Sequence, residues 1–190
     1  MKVILASQSP RRIELLKSIG LQFETIPSEA AEIVREGEKP DTVVMSLALE
    51  KGLEIASKNE DAVVMAFDTV VFCDEILGKP KDEADAYRML KLLNGKSHQV
   101  FTGIAVIHLE SNTKIIDYTM TNVAFIDAED DMLHRYVDTK EPLDKAGAYG
   151  IQGYGAMLVE CIEGDYYSVM GLPLSKLSEL LRRTFNIQLL

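Results

Sequence analysis

The segment over residues 62–73 is apolar at every position except Asp68 and Thr69. It is rich in β-branched residues, so it reads as a strand with a polar interruption. A strand apolar on consecutive positions needs cover on both faces. The chain must therefore build a sheet with helices packed against it. The same segment carries a carboxylate in its middle. Burying an unpaired carboxylate costs several kcal/mol or shifts its pKa. Asp68 therefore calls for a cationic partner, a metal or a catalytic duty. The plainer alternative is an aspartate at a strand end, capping a loop.

The rest of the chain supplies the covering elements. Val3-Ile4-Leu5-Ala6 reads as a short buried strand, followed by a turn at Ser7-Gln8-Ser9-Pro10. Ser9 suits an N-cap and Pro10 a first helical position, with Ile13, Leu15, Leu16 and Ile19 at helical spacing before Gly20. Residues 28–40 read as a loop. Asp41 is placed to cap a second helix to about residue 57, and Asp82 a third to about residue 93. Residues 100–109 and 114–126 read as a long hairpin joined through Ser111-Asn112. A short helix is expected over 129–138. A second hairpin is expected from 156–162 and 166–170 around Glu163-Gly164-Asp165, and a C-terminal helix to about residue 183. Mixed crossovers and hairpins predict an α/β class with a mixed twisted sheet. At 190 residues the chain suits a single domain, 1–190, or one domain with two lobes, and no separable linker is evident.

Charge and cysteine usage exclude several functions. Thirty acidic against 20 basic residues give a net charge of −10, which disfavours a nucleic-acid binder but permits a local cationic site for a small anion. Cys73 and Cys161 lie far apart in apolar stretches and read as buried thiols, neither a disulfide framework nor a zinc site. His98, His108 and His134 lack zinc-protease spacing, and no nucleophile-elbow or Gly-Lys-Ser/Thr phosphate-loop motif occurs. No apolar run is long enough to span a membrane, and the N-terminus lacks a leader-like segment, so a cytoplasmic location is expected.

Three further constellations stand out. Arg11 and Arg12 fall in the first turn of the first helix, where cations oppose the helix dipole. A bound anion would resolve the conflict; a solvated basic turn is the alternative. Lys51 and Lys79 gain meaning only if they converge with these sites. The stretch Asp144-Lys145-Ala146-Gly147-Ala148-Tyr149-Gly150-Ile151-Gln152-Gly153-Tyr154-Gly155 implies tight backbone geometry or close approach to a ligand. Its glycine spacing is not the dinucleotide fingerprint. Gln152 could read a base edge, because an amide both donates and accepts.

Taken together these segments resemble the Maf family over about residues 3–183. Ala6-Ser7-Gln8-Ser9-Pro10-Arg11-Arg12 with Leu15-Leu16 looks like the family's N-terminal signature. Asp68-Thr69-Val70-Val71, Gly78-Lys79-Pro80, the decapeptide from Asp144 and Gly171-Leu172-Pro173-Leu174 match later blocks in order. The decapeptide is highly specific; Gly-Lys-Pro is not. The resemblance implies a two-lobed α/β fold with a central cleft, similar to the inosine triphosphate pyrophosphatases. It implies a nucleoside triphosphate pyrophosphatase using a divalent cation, Mg²⁺ or Mn²⁺, and a homodimer with a nucleotide partner. Carried over residue by residue, Asp68 matches the proton acceptor, and Arg11, Thr69 and Gln152 the specificity determinants. Ser7, Arg12, Glu32, Lys51 and Lys79 match positions that handle phosphate and metal, with Glu32 and Asp68 as metal ligands. The Ser-Pro-Arg-Arg, Asp-Thr and Gly-Ile-Gln-Gly forms look like the dTTP/UTP branch rather than the 7-methyl-GTP branch. Ala66-Phe67 departs from the family's usual Gly-Ala, and Ala31 stands where an acid is common. A second reading is a nucleotide-binding regulator of septum formation with little turnover.

Overall fold

The computed structural model describes residues 1–34 and 37–189. Residues 35 and 36, part of the expected 28–40 loop, lie outside the described residues, as does residue 190 at the end of the expected 1–190 domain. Among the described residues seven strands form one mixed sheet in the order β2-β1-β3-β5-β6-β7, with β4 paired to β3. They are β1 (Val3–Leu5), β2 (Glu24–Thr25), β3 (Val63–Cys73), β4 (Glu75–Leu77), β5 (Ser97–His108), β6 (Thr113–Phe125) and β7 (Val159–Glu163). Strand β1 runs parallel to β2 and β3, whereas β3–β4 and β6–β7 are antiparallel. Among the described residues six helices accompany the sheet: α1 (Pro10–Ser18), α2 (Pro40–Ala56), α3 (Glu83–Leu93), α4 (Asp130–Asp138), α5 (Tyr166–Val169) and α6 (Leu174–Phe185). The expected mixed α/β class is what the chain forms.

The chain divides into two compact units, Met1–Asp68, Thr102–Thr119 and Gly171–Leu190 in the first, Thr69–Phe101 and Met120–Met170 in the second. The division falls inside β3, between Asp68 and Thr69.

In the first unit, β3 is covered on both faces, as its unbroken apolar run requires. Val63, Met65 and Phe67 join Leu16, Leu177 and Leu181 in one core; Val64 and Ala66 join Ala48 and Ile55 in another. Strand alternation therefore points Phe67 toward α1 and α6 and puts Asp68 on the α2 side. Phe67 is fully buried and faces away from Asp68. Helix α2 sits close to the sheet because Gly52 has no side chain. A Cβ there would come within 2.8 Å of Ile107 Cδ1 and 3.4 Å of the Ala66 Cβ.

In the second unit, α3 and α4 pack around Val71, Leu90, Leu133 and Tyr149. The glycine-rich segment forms three short 3-10 turns, at Glu141–Asp144, Ala146–Ala148 and Gly153–Leu158. The Glu141 carboxylate holds it together, accepting from Tyr136 Oη at 2.9 Å, Tyr154 N at 3.0 Å and Gly155 N at 3.1 Å. A Cβ at Gly155 would collide with the Gly150 carbonyl and the Tyr136 hydroxyl.

Three local expectations need correction. Residues 166–169 form helix α5, not a strand, because the Asp165 carboxylate caps it through the N–H groups of Tyr167 and Ser168. That capping outweighs the β-propensity of two tyrosines, and β7 pairs with β6 instead. Cys161 is exposed, since only its companion Cys73 lies inside a doubly covered strand. Asp41 is not the N-cap of α2; Lys39 holds that position and Pro40 begins the helix. Ser9 is the N-cap residue of α1, yet its side chain makes no cap bond. Its N–H donates instead to Ser7 Oγ at 3.2 Å.

Candidate active site

Helix α2 and strand β3 bring three charged groups into contact. Lys51 Nζ lies 2.5 Å from Asp68 Oδ1 and 2.6 Å from Glu32 Oε1. Lys51 projects from α2 beside Gly52, where the helix lies close to the sheet. Asp68 is 7% exposed, in the middle of β3 rather than at its end. Glu32 comes from the irregular segment before α2, with its side chain half exposed.

The electrostatics of the group are unequal. Burial pushes the Asp68 carboxyl above its ordinary range, against the pull of Lys51 and then Arg12, and Glu32 pushes it further up. A raised carboxyl can accept a proton near neutrality more readily than a surface aspartate. Arg12 is anchored beside it. Its Nε donates to the Gly171 carbonyl at 2.8 Å, and its Nη1 to the Phe67 carbonyl at 3.0 Å and Ser7 Oγ at 3.4 Å. Its guanidinium also lies over the Phe67 ring, 5.7 Å from the centroid. Burial lowers the Arg12 pKa to about 10, with Asp68 opposing the shift, so the group stays cationic at neutral pH. The dipole conflict noted in the sequence is met here by two backbone carbonyls.

The first unit thus gathers Ser7, Arg12, Glu32, Lys51 and Asp68. Arg11 is half-buried in the first turn of α1 in the same unit. Thr69, Lys79 and Gln152 belong to the second unit. Thr69 is half-buried on β3, Lys79 exposed after β4, and Gln152 exposed just before Gly153.

Among the described residues no group of three or more His, Cys, Asp or Glu side chains forms a metal cage. A pair of carboxylates nevertheless suits a hard divalent cation that keeps waters and takes substrate phosphate oxygens. Glu32 and Asp68 already hold one cation, the Lys51 ammonium, between them. The donor set fits.

Some participants were not legible in the sequence. The carbonyls of Phe67 and Gly171 leave no residue-type signature, although Gly171 sits in a quoted motif. Glu54, which binds the segment preceding Glu32, is one of many surface glutamates in the sequence. Its spacing of three from Lys51 on a helix was the available signal.

Residues 2–184 match the family described as Maf-like protein. The chain belongs to the Maf family. A relative from Clostridioides difficile (strain 630) named dTTP/UTP pyrophosphatase is 51% identical over 190 residues, covering 100% of this chain and 98% of that protein. A relative of the same name from Bacillus cereus (strain AH820) is 49% identical over 187 residues, covering 98% and 96%. Among solved structures, a HAM1 protein from Coxiella burnetii matches with a TM-score of 0.55 at 14% identity, covering 97% of this chain and 100% of that one. That likeness concerns the fold alone.

Proposed function

We propose that this Maf chain hydrolyses dTTP and UTP to the monophosphate and pyrophosphate. The observation that carries the reading is the buried Asp68 tied through Lys51 to Glu32. It occurs in a chain about half identical to relatives named for that reaction.

Asp68 holds the attacking water and takes its proton. The water oxygen forms a bond to the α-phosphorus while the bond to the α,β-bridging oxygen breaks, and pyrophosphate leaves. Glu32 and Asp68 would hold a Mg²⁺ or Mn²⁺ ion, which when bound supplies positive charge to the phosphate oxygens. Lys51, paired with both carboxylates here, would bind the phosphate tail if a cation took its place between them. Arg12, fixed by two carbonyls, offers a preorganised cation that needs no reorganisation. On the family resemblance, Ser7 and Lys79 contribute to phosphate binding, and Arg11, Thr69 and Gln152 select the pyrimidine. The resemblance also supports a homodimer acting in the cytoplasm. Net charge −10 supports a free nucleotide rather than nucleic acid as the partner. No helix among the described residues is long and apolar enough to cross a membrane.

A panel of nucleoside triphosphates, including 7-methyl-GTP, assayed for pyrophosphate with and without Mg²⁺ or Mn²⁺, tests the reading. Metal-dependent release from dTTP and UTP above the purine nucleotides is expected. Release of inorganic phosphate instead, or no turnover of either pyrimidine nucleotide, contradicts it.

A further inference from the structure

We infer that Glu54 is a positioning residue that holds Glu32 where it can serve with Asp68. The carboxylate Oε2 of Glu54 accepts three hydrogen bonds from consecutive residues. Ser28 Oγ donates at 2.6 Å, Glu29 N at 2.9 Å and Ala30 N at 3.0 Å. Ser28 Oγ in turn accepts from Ala30 N at 3.1 Å, closing a compact turn. The Ser28 bond, outweighing partial burial and joined by Glu29 N, holds the Glu54 carboxyl below its ordinary range. Lys58 Nζ covers the other oxygen at 3.3 Å.

The chemistry of this anchor is that of a helix or loop cap. A carboxylate that satisfies two backbone N–H groups and a hydroxyl fixes the local backbone. Two residues beyond Ala30 the chain presents Glu32, whose carboxylate meets Lys51. Lys51 and Glu54 are three apart on α2 and share a face. One turn of α2 therefore grips the segment twice, through the backbone at 28–30 and through the Glu32 side chain. Residues 26–34 carry no helix or strand of their own, so without Glu54 the Glu32 carboxylate would have to be ordered each time a cation binds. Ordering entropy lowers affinity. Glu54 thus sets the affinity of the Glu32–Asp68 pair for a divalent cation without touching it. This inference rests on the reading of Glu32 and Asp68 given above.

The test is Mn²⁺ titration without nucleotide, followed by the loss of the free-ion EPR signal. It uses the full chain as wild type, Glu54→Gln, Glu32→Gln and the double variant. Glu54→Gln should weaken Mn²⁺ binding roughly 5- to 10-fold, and Glu32→Gln at least as much. The double variant should bind no more weakly than Glu32→Gln alone, because the effect of Glu54 passes through Glu32. Ser28→Ala, a milder change, should weaken binding in the same direction and also have no effect in the Glu32→Gln background. Unchanged affinity in both Glu54→Gln and Ser28→Ala overturns the inference, as does a fully additive double variant. Those results leave the catalytic reading standing if the wild type binds Mn²⁺ and cleaves dTTP. A wild type that binds no Mn²⁺ overturns the inference, and one that also leaves dTTP uncleaved overturns both.

Discussion

The two units use carboxylates in opposite ways. In the first, Asp68 and Glu32 share one ammonium, that of Lys51, and burial holds Asp68 above its ordinary range. In the second, Glu141 is also partly withdrawn from water, and burial works against its charge. There the N–H groups of Tyr154 and Gly155 and the Tyr136 hydroxyl prevail and hold it below the ordinary range. A carboxylate satisfied by fixed neutral donors is committed to the backbone. A carboxylate paired with a flexible lysine can exchange that partner for another cation. Both lie in segments that match the family, yet only the first has the electrostatics of a proton acceptor.

The contrast breaks most sharply on substitution of each acid by its amide. Asp68→Asn should lower kcat for dTTP roughly 10²- to 10⁴-fold, measured by pyrophosphate release, with a melting temperature no lower than that of the wild type. Removing a charge whose burial is unfavourable costs the fold little. Glu141→Gln should do the reverse. Replacing one of its acceptor oxygens with an amide leaves at least one buried donor poorly satisfied, costing about 1–3 kcal/mol in urea unfolding. A Glu141→Gln protein as stable as the wild type but catalytically dead would erase the distinction.

A smaller effect sharpens it. Because the folded Asp68 carboxyl is raised, activity should fall on acidification at a pH above that expected for an ordinary aspartate, near 3.9. Glu32 adds to the rise and Lys51 opposes it. The acid limb of kcat/KM should therefore move to lower pH in Glu32→Gln and to higher pH in Lys51→Met. Shifts of about a pH unit or less are the expected scale for single neighbours. Movement in the same direction in both variants would remove Asp68 as the group that titrates.

Much of the first unit was readable from residue order. The unbroken apolar run around Asp68 demanded two covering layers, and the fold supplies them with Phe67 turned from the carboxylate. The buried acid called for a partner, a metal or a catalytic duty, and Lys51 is one such partner. What the sequence did not reveal was geometry made by the backbone. The carbonyls of Phe67 and Gly171 answer the Arg12 charge, and no residue type announces a carbonyl. Local capping also defeated the pattern at Tyr166 and Tyr167, where Asp165 turned an apparent strand into a helix. Cys161 was misplaced for a related reason. An apolar stretch near a sheet edge has one face that water can reach, and hydropathy alone does not say which. The glycine-rich segment implies tight backbone geometry or close approach to a ligand, and the contacts around Gly155 show the first. Its organiser, Glu141, stands outside the glycines and had no spacing to mark it.

The role of Asp68 depends most directly on where water attacks. Turnover of dTTP in ¹⁸O-labelled water, with both products analysed by mass spectrometry, locates the bond that breaks. One ¹⁸O atom should enter the thymidine monophosphate, and the pyrophosphate should stay unlabelled. Label in the pyrophosphate, or release of labelled inorganic phosphate, would place the attack at another phosphorus and contradict the chemistry assigned to Asp68.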